Sequence, residues 1–138
     1  MALQATLKLG DRLYDVRDLD YSIEKPTGSN FQPSSAPEGG IINFTVLSPM
    51  DGNLQFHEWV LSTADTMSGE FKLPLTHGTK HVTKSIRFEK AQCVSLQEYY
   101  NAGYKDASQM YMRIKIIASI IDFGNDVKYN HKTKSKEK

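Results

Sequence analysis

The amino-acid sequence predicts a mainly β domain whose sheet curls toward a barrel and that carries one flanking α-helix. Apolar residues alternate with polar ones over most of the 138 residues, which is the pattern of strands buried on one face. Only one short segment has helical spacing instead. A change of parity near Arg17 and Asp18 predicts a β-bulge, and bulges bend a sheet toward closure, which removes exposed edges.

The first two strands are predicted to form a hairpin that turns at Gly10 and Asp11. The apolar positions before the turn alternate with polar ones and are Leu3, Ala5, Leu7 and Leu9. The apolar positions after the turn have two opposite parities and are Tyr14 and Val16, then Leu19, Tyr21 and Ile23. The predicted bulge brings both sets onto one core face.

Residues 25–40 are predicted to form a long loop. The segment is rich in proline, glycine and serine, and Phe31 is its one large hydrophobic residue. Loops of this length are uncommon in compact domains and are often functional. Phe31 either anchors the loop against another subunit or folds back on its own domain.

A helix is predicted over residues 48–61, between the third and fourth strands. Ser48 is a suitable cap, Pro49 fits the first turn, and Asp51 completes an S-x-x-D capping pattern. The broad stripe predicted to dock on the sheet comprises Met50, Leu54, Phe56, His57, Trp59, Val60 and Leu61.

The other strands follow from alternation. Before the helix, Ile42, Phe44 and Val46 are predicted to point inward. After it come a short strand at residues 70–75, a turn at 76–79, and a strand that starts at residue 81 and continues past residue 94. The predicted inward residues of that strand are Val82, Ile86 and Phe88. The longest strand spans residues 110–120.

Composition and charge fit one domain over residues 1–127 followed by a basic, flexible tail at residues 128–138. The tail holds five lysines and one glutamate (+4), which leaves 12 basic and 15 acidic residues (−3) before it. Such tails contact nucleic acid or anionic lipid in some proteins but more often only solubilise them. We predict no nucleic-acid partner and no membrane insertion.

The sequence contains no recognisable reaction centre, so we predict no enzymatic activity, no cofactor and no metal. Cys93 is the one cysteine and is expected to be a small buried hydrophobic residue. His77 and His81 have a spacing that binds metal on helices, but Gly78 indicates a turn there. Nucleophile-elbow and phosphate-loop motifs are absent from the sequence.

The order of elements, together with several local patterns, resembles the Hcp or TssD family, the tube protein of the bacterial type VI secretion system. The resemblance covers roughly residues 2–123. It rests on ATLKLG at 5–10, YDV at 14–16, SI at 22–23, QPSS at 32–35, GGII at 39–42, FHEWV at 56–60 and YMRIKIIA at 111–118.

The resemblance implies a β-barrel of two curled antiparallel sheets with a flanking helix, and a non-enzymatic role. Such subunits form hexameric rings that stack into a hollow tube. A contractile sheath expels the tube with its tip spike from a baseplate, and the lumen can hold effector cargo. The implied location is the bacterial cytoplasm during assembly, then the extracellular space or a target cell, reached without a signal peptide.

Two segments are the candidate assembly sites. The ring-stacking loop is predicted to comprise Thr27, Gly28, Ser29, Asn30, Phe31, Gln32 and Pro33. The second set serves either helix packing or the ring interface and comprises Phe56, His57, Trp59 and Val60. The alternative function is a non-enzymatic β-barrel binding module or effector chaperone that acts as a monomer or dimer.

Overall fold

The computed structural model describes residues 4–24, 38–102 and 109–130, and within them it contains seven strands and one helix. The strands are β1 (Thr6–Leu9), β2 (Arg12–Glu24), β3 (Glu38–Leu47), β4 (Met67–His77), β5 (Lys80–Asn101), β6 (Gln109–Gly124) and β7 (Val127–Asn130). The helix, α1 (Gln55–Leu61), lies between β3 and β4, as predicted. No helix in these segments is long and apolar enough to cross a membrane.

All seven strands belong to one antiparallel sheet with the order β3-β2-β1-β4-β5-β6-β7. Strand β3 also pairs with β6, where residues 41–47 lie opposite residues 117–111. The first six strands therefore form a closed cycle of pairings. The predicted mainly β fold with one helix is confirmed, but the described strands form one continuous sheet and not the two expected sheets, since each strand pairs with the next in this order.

The predicted bulge in β2 is confirmed. The pairing of β2 with β3 shifts between Val16 and Asp18. Because a one-residue shift reverses the faces of a strand, Val16 is buried before the bulge and Leu19 packs against the core after it. The same shift leaves Asp18 and Asp20 exposed on the outer face.

Aromatic rings from several elements meet in the core. The ring of Phe44 in β3 lies 5.1 Å from that of Phe71 in β4, which lies 5.6 Å from that of Phe88 in β5. Both pairs are tilted or edge-on, the geometry that aromatic quadrupoles favour. Cys93 belongs to the same buried cluster, as the sequence predicts.

The helix begins later than predicted, at Gln55, and Ser48 does not cap it. The N-cap residue is Leu54, which makes no side-chain cap hydrogen bond. Instead, the side chain of Asp51 accepts from the backbone N–H of Asn53, and the side chain of Asn53 accepts from that of Gln55. These two local bonds hold residues 51–55 in turns, so the chain reaches helical geometry only after them.

The predicted apolar stripe is also corrected. Met50 lies outside the helix and is 98% exposed, and both Leu54 and Leu61 are exposed as well. With only seven residues, the helix buries a narrow face, formed by Phe56 and Trp59.

The β4–β5 hairpin is longer than predicted, and its end is not buried. Strand β4 runs from Met67 to His77 rather than over residues 70–75. Val82, predicted to point into the core, is 58% exposed, because β4 and β5 continue beyond the part of β4 that pairs with β1. Ile86 and Phe88 are buried as predicted.

The structure corrects the predicted end of the long loop and the predicted start of the tail. Strand β3 begins at Glu38, so residues 38–40 are not loop. Residues 128–130, predicted to be tail, lie in β7, where Tyr129 pairs with Ile121 and is buried. Tyr129 is the one apolar residue in residues 128–130, so no alternation of apolar and polar residues predicts a strand there. Residues 131–138 lie outside the described residues.

Candidate functional site

Three of the helix residues singled out by the sequence pack in or against the core. Phe56 and Trp59 are buried, and Val60 packs partly against the same cluster. The ring of Phe56 lies 4.7 Å from that of Tyr14 in β2 and 6.1 Å from that of Phe44 in β3. Phe56 and Trp59 thus attach the helix to the interior of the sheet.

His57 faces β5 and is partly exposed. Its Nε2 atom lies 3.1 Å from Oε1 of Glu98, and Oε2 of Glu98 accepts a hydrogen bond from the hydroxyl of Ser48 at 3.1 Å. These contacts link α1 and the end of β3 to β5. Nδ1 of His57 and Nε1 of Trp59 are buried and have no hydrogen-bond partner among the described residues.

A polar network joins the turn before the helix to the β1–β2 hairpin. The hydroxyl of Tyr14 donates to the side-chain oxygen of Gln55 at 2.5 Å and accepts from the amide of Asn53 at 2.7 Å. Burial raises the pKa of Tyr14. The pKa of Asp51 is lowered, mainly by the N–H of Asn53 and further by Arg12, whose guanidinium lies 3.1 Å away. These hydrogen bonds and the salt bridge connect the turn before the helix to β2, and we assign them a structural role.

An aromatic and cationic cluster, which the sequence reasoning missed, lies on the outer face of the sheet. The guanidinium of Arg17 lies 4.7 Å from the ring centre of Tyr111, and that of Arg113 lies 5.7 Å from the ring centre of Tyr99. Tyr99 and Tyr111 are directly opposite each other in the β5–β6 register. The alternation of Tyr111 with Arg113 is visible in the sequence, but only the register brings Arg17 and Tyr99 beside them.

The predicted ring-stacking loop, Thr27 to Pro33, lies outside the described residues, so its role stays a prediction. His77 and His81 lie on the two strands of the β4–β5 hairpin, and His81 contacts Thr76 at 3.4 Å. Within the described segments, no three potential metal ligands lie close together.

Cys93, the one thiol of the chain, is poorly suited to nucleophilic chemistry. Burial raises its pKa to about 11, partly opposed by a backbone hydrogen bond of Ser95. The reactive thiolate is thus scarce at neutral pH.

Comparison with models of known protein families assigns the chain to one of these families. The family model described as TssD, hemolysin coregulated protein Hcp (TssD), matches residues 1–132. The chain belongs to the Hcp (TssD) family. The match confirms the resemblance seen in the sequence motifs, and this family comprises the tube proteins of type VI secretion systems.

Solved Hcp structures share the fold along nearly the whole chain. Hcp1 from Flavobacterium johnsoniae is 20% identical and has a TM-score of 0.73, with 93% of this chain and 99% of that chain covered. A mutant Hcp1 from E. coli is 14% identical, with a TM-score of 0.71 and coverage of 95% and 100%. The comparison with curated proteins found no match. At these identities the likeness shows the Hcp fold alone.

Proposed function

We propose that this chain is the building block of a type VI secretion inner tube, in which six copies form a ring and the rings stack. The observation that carries the proposal is the Hcp (TssD) match over residues 1–132. The Hcp fold over the full length of the solved relatives supports it. The role proposed is structural and not catalytic.

The strand pairing suits a rigid tube subunit. We infer that the cycle of six paired strands closes as a β-barrel, with α1 covering one end. Closure occupies backbone donors and acceptors that would otherwise pair with another chain. Copies of the subunit then associate through side-chain surfaces.

A closed ring requires two different complementary patches on each subunit. Head-to-tail contacts are heterologous, and they close only when the rotation per subunit fits the ring. The helix face around His57 is one candidate patch, because His57 is partly exposed and Leu61 is exposed at the helix end.

The remaining partners follow from the tube proposal. A contractile sheath surrounds the tube, a tip spike and baseplate meet its end, and effector cargo occupies the lumen. Assembly takes place in the bacterial cytoplasm, and sheath contraction delivers the tube outside the cell or into a target cell.

Electron microscopy of negatively stained protein tests the proposal directly. We expect rings with a central hole, and a six-subunit species by native mass spectrometry. A monomer or dimer that does not change with concentration would contradict the tube and favour a binding module or effector chaperone.

The segment before β3 is proposed to reach the neighbouring ring. Its length and the isolated Phe31 support this role. Deletion of residues 28–36 should leave six-membered rings intact and shorten or abolish stacks in micrographs. Stacks of normal length from the deleted chain would show that the loop is dispensable.

A further inference from the structure

The end of the β4–β5 hairpin is a two-stranded ribbon that projects from the sheet. Among the described residues, β1 pairs with β4 only as far as Lys72, and β6 pairs with β5 only from Arg87 onward. Five residue pairs, from Leu73 opposite Lys84 to His77 opposite Lys80, lie beyond both. At about 3.4 Å per residue, the ribbon is about 17 Å long. We call residues 73–84 the hairpin arm.

One face of the hairpin arm is apolar and exposed. Alternation places Leu73, Leu75 and Val82 on the face that continues from the buried Phe71 and Ile86. Leu75 and Val82 lie directly opposite each other and are 53% and 58% exposed. An isolated two-stranded ribbon is marginally stable in water, so a covering surface would stabilise it.

The hairpin arm is also basic. Lys80 and Lys84 share the face of Val82 and flank it along β5. From Phe71 to Ile86 the sequence contains three lysines and two histidines and neither aspartate nor glutamate. The arm therefore presents two apolar side chains between two positive charges.

Strand β2 carries a surface of opposite character. Its outer face exposes Asp15, Asp18 and Asp20, and Leu13, on the same face, is 69% exposed. Arg17 lies between Asp15 and Asp18 at the bulge, but its guanidinium is placed over the ring of Tyr111. Asp20 accepts a hydrogen bond from Asn43. Asp15 and Asp18 take part in neither of the two salt bridges seen among the described residues. We call Leu13 and the three aspartates the acidic strip.

The two surfaces cannot meet within one chain. Strand β1 separates β2 from β4 in the sheet. The arm presents the core-side face of its strands, whereas the acidic strip lies on the outer face of β2. A contact between them therefore joins two copies and is head to tail, since it pairs different patches.

We propose that the hairpin arm of one copy docks on the acidic strip of the next copy in the assembly. Lys80 and Lys84 pair with Asp15 and Asp18, and Leu75 and Val82 cover Leu13. This inference rests on the proposed tube function. It specifies which two surfaces form one of the interfaces between subunits of the tube.

Charge reversal on each side provides the test. Lys80→Glu with Lys84→Glu should lower the assembled fraction at least tenfold in sedimentation velocity, and so should Asp15→Lys with Asp18→Lys. An equimolar mixture of the two variants should assemble again, because the acidic arm of one then meets the basic strip of the other. The matched control, Lys115→Glu with Lys128→Glu, changes the net charge equally outside both surfaces and should assemble normally.

Each outcome has a distinct meaning. Melting curves establish that the variants fold, and Leu75→Ser with Val82→Ser, at two exposed positions, should weaken assembly without charge reversal. Normal assembly of the reversed variants, or losses that mixing does not restore, would overturn this inference while leaving the tube intact. A wild-type chain that remains monomeric would instead overturn the proposed function, and the inference with it.

Discussion

Gly40 in β3 occupies a position where a side chain has no room. Its φ is +85°, and a Cβ atom built there would lie 2.4 Å from the carbonyl oxygen of Ala118 in β6. The position belongs to the strand whose pairing with β6 completes the cycle. The close approach of the two backbones therefore depends on glycine.

Gly40→Ala should destabilise the protein strongly. The left-handed backbone costs an alanine about 1–2 kcal/mol, and the clash adds about 1–3 kcal/mol as neighbouring atoms shift. Gly52→Ala is the matched control, since Gly52 has a φ of +81° and no atom within 4 Å of its built Cβ. Urea denaturation should show the larger loss for Gly40→Ala, and equal losses would contradict the clash.

Cys93 should react slowly while the protein is folded. Its pKa is raised from 9.0 to about 11 by burial, which favours the neutral thiol. Because the folded chain holds this proton more tightly than the unfolded chain, the contribution of Cys93 to the free energy of unfolding is fully present below pH 9 and is lost as the pH rises toward 11. At pH 8, alkylation by iodoacetamide should be about 100-fold slower in the native chain than in urea. Equal rates would show that the thiol is accessible and ionised.

At the scale of single elements, α1 is held by packing and not by its own caps. Trp59→Ala should lower the free energy of unfolding by about 3–5 kcal/mol, because a buried indole is lost. Leu61→Ala on the same helix is the control and should change it by less than about 0.5 kcal/mol, as Leu61 is exposed. Unchanged melting of Trp59→Ala together with a loss of rings would assign Trp59 to the interface.

The elements differ in how far the sequence predicted them. The bulge in β2 was predictable because the parity of its apolar residues changes where the pairing shifts, between Val16 and Asp18. The start of α1 was not, because Ser48 has the chemistry of a cap but bonds to Glu98, on a strand 50 residues away. Val82 continues the alternation of Ile86 and so looked buried, although the sheet ends before it. Local pattern thus predicts faces, and the extent of the neighbouring strands decides burial.

At the scale of the whole molecule, charge is separated between surfaces. The acidic strip lies on β2, whereas the hairpin arm is basic. The sequence showed the acidic body and basic tail but not this second asymmetry, because the relevant residues are distant in the chain and only pairing assigns them to faces.

Assembly should accordingly weaken with salt. The screening length falls from about 10 Å at 0.1 M to about 3 Å at 1 M, which reduces the attraction between exposed charges. Sedimentation velocity in sodium chloride should show a smaller assembled fraction at the higher concentration. The Lys80→Glu, Lys84→Glu variant is the comparison, since it lacks the attraction. A wild-type assembly insensitive to salt would indicate an interface governed by apolar contact.

The pairing of β3 with β6 also sets an order of events during synthesis. One edge of β3 pairs with β2, but its other edge can pair with β6 only after the ribosome has synthesised residues 111–117. Contacts so distant in sequence slow folding, and until they form a nascent chain exposes two unpaired strand edges. The chain is therefore most prone to aggregate early in its synthesis, and the last third of the chain ends that exposure.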